Sequence, residues 1–226
     1  MNYNLIYSHK ADKNLIIPPR SEILRYLGEK GEENEVLKNL IDEIQNMVSE
    51  KALPTGTFVL KKIMVHNEKV SIGDIFFSSQ KLAKNLAGCH SAIVFSLTIG
   101  SSVDRLMQSL VSKPAAEFVA SATGSAFVES YADLFNKEIK DYFGNENKYL
   151  RPRFSPGYGD FSHSAQKDII NMTDASRRCG IYLTKALMLT PTKSVTGVIG
   201  IGDTNCNCPS HGCEACDKTD CISRRS

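Results

Sequence analysis

The chain has 226 residues, 42% of them hydrophobic, with 27 basic against 25 acidic side chains and a formal net charge of +2. That length and apolar content suit one core with a short appendage and exclude an intrinsically disordered chain. Charges of both signs are interspersed, so there is no basic face or stripe of the kind a nucleic-acid partner requires. Met1 to Arg20 lacks the basic-then-apolar layout of a signal peptide. No apolar run approaches the roughly 20 residues of a membrane helix, so the expectation is a cytoplasmic chain with no membrane partner.

Taken in order, residues 4 to 17 alternate loosely and predict an extended N-terminal segment. Pro18-Pro19-Arg20 then breaks the chain, and Ser21 is placed to cap a helix from Glu22 to about Gly28. Val36, Leu37, Leu40, Ile41, Ile44, Met47 and Val48 recur at three- and four-residue intervals, which predicts a helix from about Glu33 to Lys51. Thr57 to His66 is rich in β-branched and apolar residues. With Asn67-Glu68 and the short run Val70 to Ile72 it predicts a hairpin. Ser78 or Ser79 opens another helix to Ala87, and Ala92 to Thr98 is an apolar run of buried-strand length.

Ile99-Gly100-Ser101-Ser102 then leads into Val103, Leu106, Met107 and Leu110. One glycine is far short of a phosphate-binding fingerprint, so this is a strand-to-helix turn with serine capping; Gly200-Ile-Gly202-Asp203 fails the same test. Ala115 to Phe143 is the longest helical pattern, stopped by Gly144-Asn145. Its small residues Ala122 to Ala126 let something approach closely. Glu129 lies at helical spacing from Ser125 and Ala132, so it points toward the packed side and needs a partner there, unless it sits at a boundary and reaches out to water. Ser164 to Met172 predicts a short helix, and Asp174 caps another that stops at Gly180. Ala186 to Thr190 and Ser194 to Ile201, broken by Pro191-Thr192-Lys193, predict a final hairpin.

Helices and antiparallel-type strands are mixed without a βαβ rhythm, which places the chain in the α+β class. Five of the seven cysteines fall in the last 21 residues. They divide the chain into a body, residues 1–204, and a Cys-rich tail, residues 205–226. A secreted disulfide scaffold would spread its pairs along a short chain, whereas Cys89 and Cys179 stand alone and read as small buried hydrophobes.

The densest chemistry lies between Tyr149 and Met172. Pro152 and Pro156 fix φ and push their predecessors toward extended geometry, while Gly157 and Gly159 permit angles or close approaches that a side chain blocks. Such a stiff loop can present Arg151, Arg153, Tyr158, Asp160 and several backbone amides to one ligand with little entropy left to lose. A plain Pro-Gly turn between helices is the alternative.

Arg153-x-x-x-Gly157-Tyr158 resembles the Arg-x-x-x-Gly-Tyr signature of the S-adenosylmethionine-binding activation domain of cobalamin-dependent methionine synthase. Ala126-Phe-Val-Glu129-Ser-Tyr-Ala-Asp-Leu-Phe resembles the family helix that carries an acidic ligand. Gly180-Ile-Tyr-Leu-Thr-Lys-Ala-Leu-Met-Leu-Thr-Pro and Lys193-Ser-Val-Thr-Gly-Val-Ile-Gly follow in the family's order. The resemblance is close from about Glu129 to Gly200. It implies a curved antiparallel sheet flanked by helices.

It also implies a function. The domain binds S-adenosylmethionine and supports reductive methylation of oxidised cob(II)alamin, reactivating methionine synthase or a related corrinoid methyltransferase, with the cobalamin on the partner protein. Arg153 can fork the ligand carboxylate and Glu129 can pair with its ammonium. The backbone from Phe154 through Pro156 to Gly157 can hold the adenine edge, and Tyr158 either packs on the ligand or faces a docked corrinoid. Arg151 is then the spare, an exposed contact or a partner-docking charge. The sequence holds no corrinoid-binding Asp-x-His-x-x-Gly segment, homocysteine-zinc domain or folate barrel. The expectation is a free-standing activation subunit, not a complete enzyme, that docks on a corrinoid-binding methionine synthase or methyltransferase subunit and meets a flavodoxin- or ferredoxin-type electron donor.

The tail departs from the family, which puts in doubt any tyrosine ligand beyond Gly202. Cys206, Cys208, Cys213, Cys216 and Cys221, with His211 between them, suit a thiolate-bound zinc or iron-sulphur cluster, a redox-active or oxidised thiol tail, or no ordered role. A scaffold or redox subunit of a corrinoid methyltransferase system, with a vestigial nucleotide site, is the alternative function. A direct methyltransferase on a small acceptor lacks its expected Gly-rich strand-turn-helix.

Overall fold

Two long apolar strands at the centre of one antiparallel sheet organise the molecule. A computed structural model describes residues 1–29 and 34–204. In chain order the elements are β1 (Ile6–Lys10), α1 (Arg20–Leu27), α2 (Glu35–Lys51), β2 (Thr55–His66), β3 (Lys69–Ile72), β4 (Ile75–Ser78), α3 (Gln80–Asn85), β5 (Cys89–Thr98), α4 (Ser101–Ser109), α5 (Pro114–Gly144), β6 (Tyr149–Leu150), α6 (Ala165–Thr173), α7 (Ala175–Cys179), β7 (Tyr182–Leu183), β8 (Leu189–Thr190) and β9 (Ser194–Gly202). The sheet runs β4-β3-β2-β5-β9-β6, and β1 shares the outer edge of β2 with β3. Every named strand pair is antiparallel.

Alternate residues of the central strands feed two cores. Ile93, Phe95, Leu97, Ile199 and Ile201 pack against α1, α2, α4 and α5, with Phe127, Tyr131 and Phe135 at the middle. Ala92, Val94 and Val198 pack on the other face with Leu82 and Leu86 of the α3 region, Phe154, Phe161 and Ile169. Both faces of the sheet are therefore covered, which is why β5 and β9 read as continuous apolar runs and not as alternating ones.

Most predicted elements appear. The β2–β3 hairpin turns at Asn67-Glu68, with Asn67 at φ 54°. Ser79 caps α3 by accepting from the Leu82 amide, and α5 starts with Pro114 at its first position, where the missing N–H costs nothing. Asn34 caps α2 through the Leu37 amide.

Five expectations need correction. The first helix begins at Arg20 with Pro19 at the cap position, so Ser21 is inside it and caps nothing. The serines after Gly100 do not cap α4 either, because Gly100 itself holds the cap position and both hydroxyls accept from Arg105. A further strand, β4, follows a two-residue turn at Gly73-Asp74. The run at Leu189–Thr190 pairs with Tyr182–Leu183 and not with Ser194–Gly202, whose partners are β5 along its length and β6 at its far end. Cys89 and Cys179 are only partly buried. Burial pushes both thiols up; hydrogen bonds from Thr57 and the Ile181 backbone oppose it at Cys179, and Arg151 opposes it at Cys89.

Candidate ligand-binding site

The segment after β6 runs antiparallel to β9, and its register decides what each arginine does. Leu150 pairs with Ile201, and Phe154 pairs with Val198. Four residue steps thus face three, so one extra residue is accommodated around Pro152. In a regular strand Arg151 and Arg153 would share a face; the extra residue sends them to opposite faces.

Arg151 turns toward the α3 side, where it is 5% exposed. It donates to the Ala87 carbonyl at 3.1 Å and the Thr204 carbonyl at 3.3 Å. Gly200 makes room for it, since a Cβ there would lie 3.0 Å from the arginine stem. The expectation of an exposed or partner-docking Arg151 is therefore overturned: it is a buried tie between the end of β9 and the turn after α3.

Arg153 turns toward α5. Along that helix Ser121, Ser125, Glu129 and Asp133 recur every four residues and form one polar stripe about 18 Å long. Arg153 Nη2 meets Asp133 at 2.7 Å and Glu129 at 3.3 Å. Its Nη1 is buried and, among the described residues, has no hydrogen-bond partner. A buried guanidinium donor left unmatched is costly, so Nη1 is a group that an added acceptor would satisfy. The predicted residues Glu129 and Arg153 are thus in contact, and Asp133 joins them. Its spacing of four from Glu129 was the signal in the sequence that could have found it.

At the other end of the stripe, Lys193 Nζ donates to Ser121 and Ser125, each at 3.0 Å. Its stem lies where a Cβ at Gly124 would stand 3.1 Å away. The close approach expected at the small residues of α5 is this lysine. Burial lowers its ammonium below the usual lysine range, and Asp104 opposes the shift. Asp104 itself accepts from the Thr192 amide and hydroxyl.

The rest of the loop is pinned by aromatic packing. Phe154 meets Tyr158 edge to face at 5.2 Å, and Phe161 meets Phe77 likewise at 5.5 Å. The Phe154 amide and carbonyl are both engaged with Val198, and the Gly157 amide donates to the Phe161 carbonyl. Gly157 sits at φ 92° beneath the His163 ring, which leaves a Cβ there only 2.4 Å of room, and Pro156 beside it is buried. Asp160 does not face the site. It accepts from the Ser79 hydroxyl at 2.6 Å and the amides of Gln80 and Lys81, fastening the loop to the start of α3. Burial acts to raise its carboxyl, but these donors hold it below the ordinary carboxylate value.

Among the described residues no three His, Cys, Asp or Glu side chains are grouped to hold a metal. Cys206, Cys208, Cys213, Cys216 and Cys221, predicted as thiolate ligands, lie outside the described residues. No helix among the described residues is long and apolar enough to cross a membrane.

Residues 92–207, which span most of β5, the α5 stripe, both arginines and Lys193, match the family "Vitamin B12 dependent methionine synthase, activation domain". The chain belongs to that family. Its fold agrees. The crystal structure of the MetH reactivation domain bound to AdoHcy is similar with a TM-score of 0.69 at 15% identity, over 89% of this chain and 79% of that one. No curated protein matches it. In this activation domain the matched region thus contains every described residue of the predicted ligand site.

Proposed function

We propose that residues 1–204 bind S-adenosylmethionine between the α5 stripe and the segment from Arg153 to Tyr158. So loaded, they support reductive methylation of oxidised cob(II)alamin on a cytoplasmic corrinoid protein that this sequence does not contain. The observation that carries the binding claim is Arg153: Nη2 is held by carboxylates of its own chain while Nη1 is buried and unmatched among the described residues. A ligand carboxylate supplies the acceptor Nη1 lacks, and Glu129, 3.3 Å from the guanidinium, is placed to take the ammonium on the neighbouring carbon. The relative bound to AdoHcy, a thioether with the same amino-acid and adenosine ends, supports this ligand class.

The chemistry supplied from outside the chain is one electron, from a flavodoxin- or ferredoxin-type donor, and the methyl group of S-adenosylmethionine. The chain's own contribution is position. Phe154, Tyr158 and Phe161 lock the loop, the Phe154–Val198 pairing fixes its height on the sheet, and Arg153 with Glu129 fixes the amino-acid end of the ligand. Tyr158, packed on Phe154 and only partly buried, is placed either to cover the ligand or to meet the docked corrinoid.

The test is to incubate the chain with a corrinoid methionine synthase held as cob(II)alamin, a low-potential flavodoxin and S-adenosylmethionine, and to follow the corrinoid spectrum. Methylation that depends on both the chain and S-adenosylmethionine is expected. A spectrum that develops equally without the chain contradicts the assignment.

A further inference from the structure

The strand at one end of the sheet, β4, has an open edge. A two-residue turn joins it to β3, so Ile72 and Ile75 form the closing hydrogen-bonded pair, and Val70 with Phe77 is the next such pair. The amides and carbonyls of Phe76 and Ser78 therefore point away from β3, to the side where the sheet among the described residues has no further strand. The strand reads Ile-Phe-Phe-Ser, without the charge or proline that ordinarily blunts an edge. Its two phenyl groups divide: Phe77 is buried against Phe161, while Phe76 is 73% exposed. Register sets Phe76 in one row with Ser71 and Met64, and Met64 is 71% exposed. Two large apolar side chains thus flank a small serine on that face.

We propose that β4 pairs antiparallel with β4 of a second copy of this chain, about a two-fold axis at Phe76. The outward amide and carbonyl of Phe76 then bond to those of its symmetry mate, and the two phenyl rings meet on the exposed face. Charge favours a copy over an unrelated strand. In that register Asp74 of one copy stands opposite Ser78 of the other, and Ser78 is paired with Lys69 within its own chain. All three lie on the face of Phe76, because residues two apart and residues directly opposite point the same way. Asp74 and Lys69 are both exposed. Two strand spacings, about 10 Å, separate them, a gap their side chains span over the small Ser78. The two-fold axis repeats the pair, so each edge carries its acid and its base in the order that antiparallel pairing requires. The contact lies at the opposite end of the sheet from β6, so it leaves Arg153 and the ligand site uncovered.

Analytical ultracentrifugation of the whole chain, with reductant present to remove cysteine cross-links, tests this. A contact this small is weak, so a reversible dimer that grows with concentration is expected. Phe76→Asp is expected to stay folded by circular dichroism and to be monomeric where the unaltered chain is dimeric. Asp74→Lys and Lys69→Asp each bring like charges together at both symmetric positions, and each is expected to weaken association about two- to tenfold. The double exchange of Asp74→Lys with Lys69→Asp is expected to restore it. A chain monomeric at every concentration up to about 1 mM overturns the proposal. So does a dimer that Phe76→Asp leaves intact, or a loss in the single charge variants that the double exchange does not rescue.

Discussion

At the scale of single residues, two arginines one position apart from each other's neighbour have unrelated jobs. Arg153 and Glu129 were legible because their residue types and spacing resemble a family signature. Arg151 was not, because nothing in Arg-Pro-Arg announces that the strand gains a residue against β9 and reverses the side chain's direction. Its surroundings make it structural: a buried guanidinium donating to the carbonyls of Ala87 and Thr204. Truncating it strands those carbonyls and opens space beside Gly200. Arg151→Met is accordingly expected to lower unfolding stability by about 1–3 kcal/mol, the cost of unmatched buried polar groups. Chemical denaturation measures that loss, and ligand affinity of the folded fraction is expected to stay within error. Asp133 was hidden for a different reason. Helical spacing puts it beside Glu129, but only the path of the loop brings a guanidinium to it.

At the scale of elements, the loop is rigid because it is tied at both ends. One end is the Phe154–Val198 pairing and the other is Asp160 acting as a second cap for α3. The folded Asp160 carboxyl lies below its ordinary value of 3.8, burial opposing and the Ser79, Gln80 and Lys81 donors prevailing. A carboxyl depressed in the folded state adds stability that is complete above its unfolded value and is lost as pH falls through the folded one. Asp160→Ala is therefore expected to cost about 1 kcal/mol near neutral pH, the usual worth of a helix cap. The gap to the unaltered chain should close as pH falls below 3.8. Urea melts at a series of acid pH values measure it, and a gap that persists at the lowest pH removes the cap assignment. Local pattern also explains which elements were legible. Helices with apolar stripes and the Asn67-Glu68 hairpin declare themselves within a few residues. Gly73-Asp74 carried an equally local turn signal for β4. The pairing of Leu189–Thr190 with Tyr182–Leu183 carried no such local signal, because each partner is a strand of only two residues.

At the scale of the whole molecule, the α+β class and an antiparallel sheet with helices followed from the mixture of periodicities, whereas the order of strands did not. The sheet separates two tasks. One face carries α5 with its polar stripe, and the other carries α3, α6 and the aromatic pins of the loop. The segment from Tyr149 to Phe154, on the outer edge of β9, is where the two meet, so Arg153 reaches α5 while its neighbours Arg151 and Phe154 anchor on the opposite face. That arrangement makes the central claim directly measurable. Titration of the chain with S-adenosylmethionine, beside Arg153→Ala and Glu129→Gln, is expected to give saturable binding. Arg153→Ala should lose roughly 2–5 kcal/mol of it, as for truncating one partner of a buried charged pair, and Glu129→Gln should be weaker-binding but folded. Absence of binding, or equal affinity in the unaltered chain and Arg153→Ala, contradicts the account and returns the chain to a scaffold or redox role.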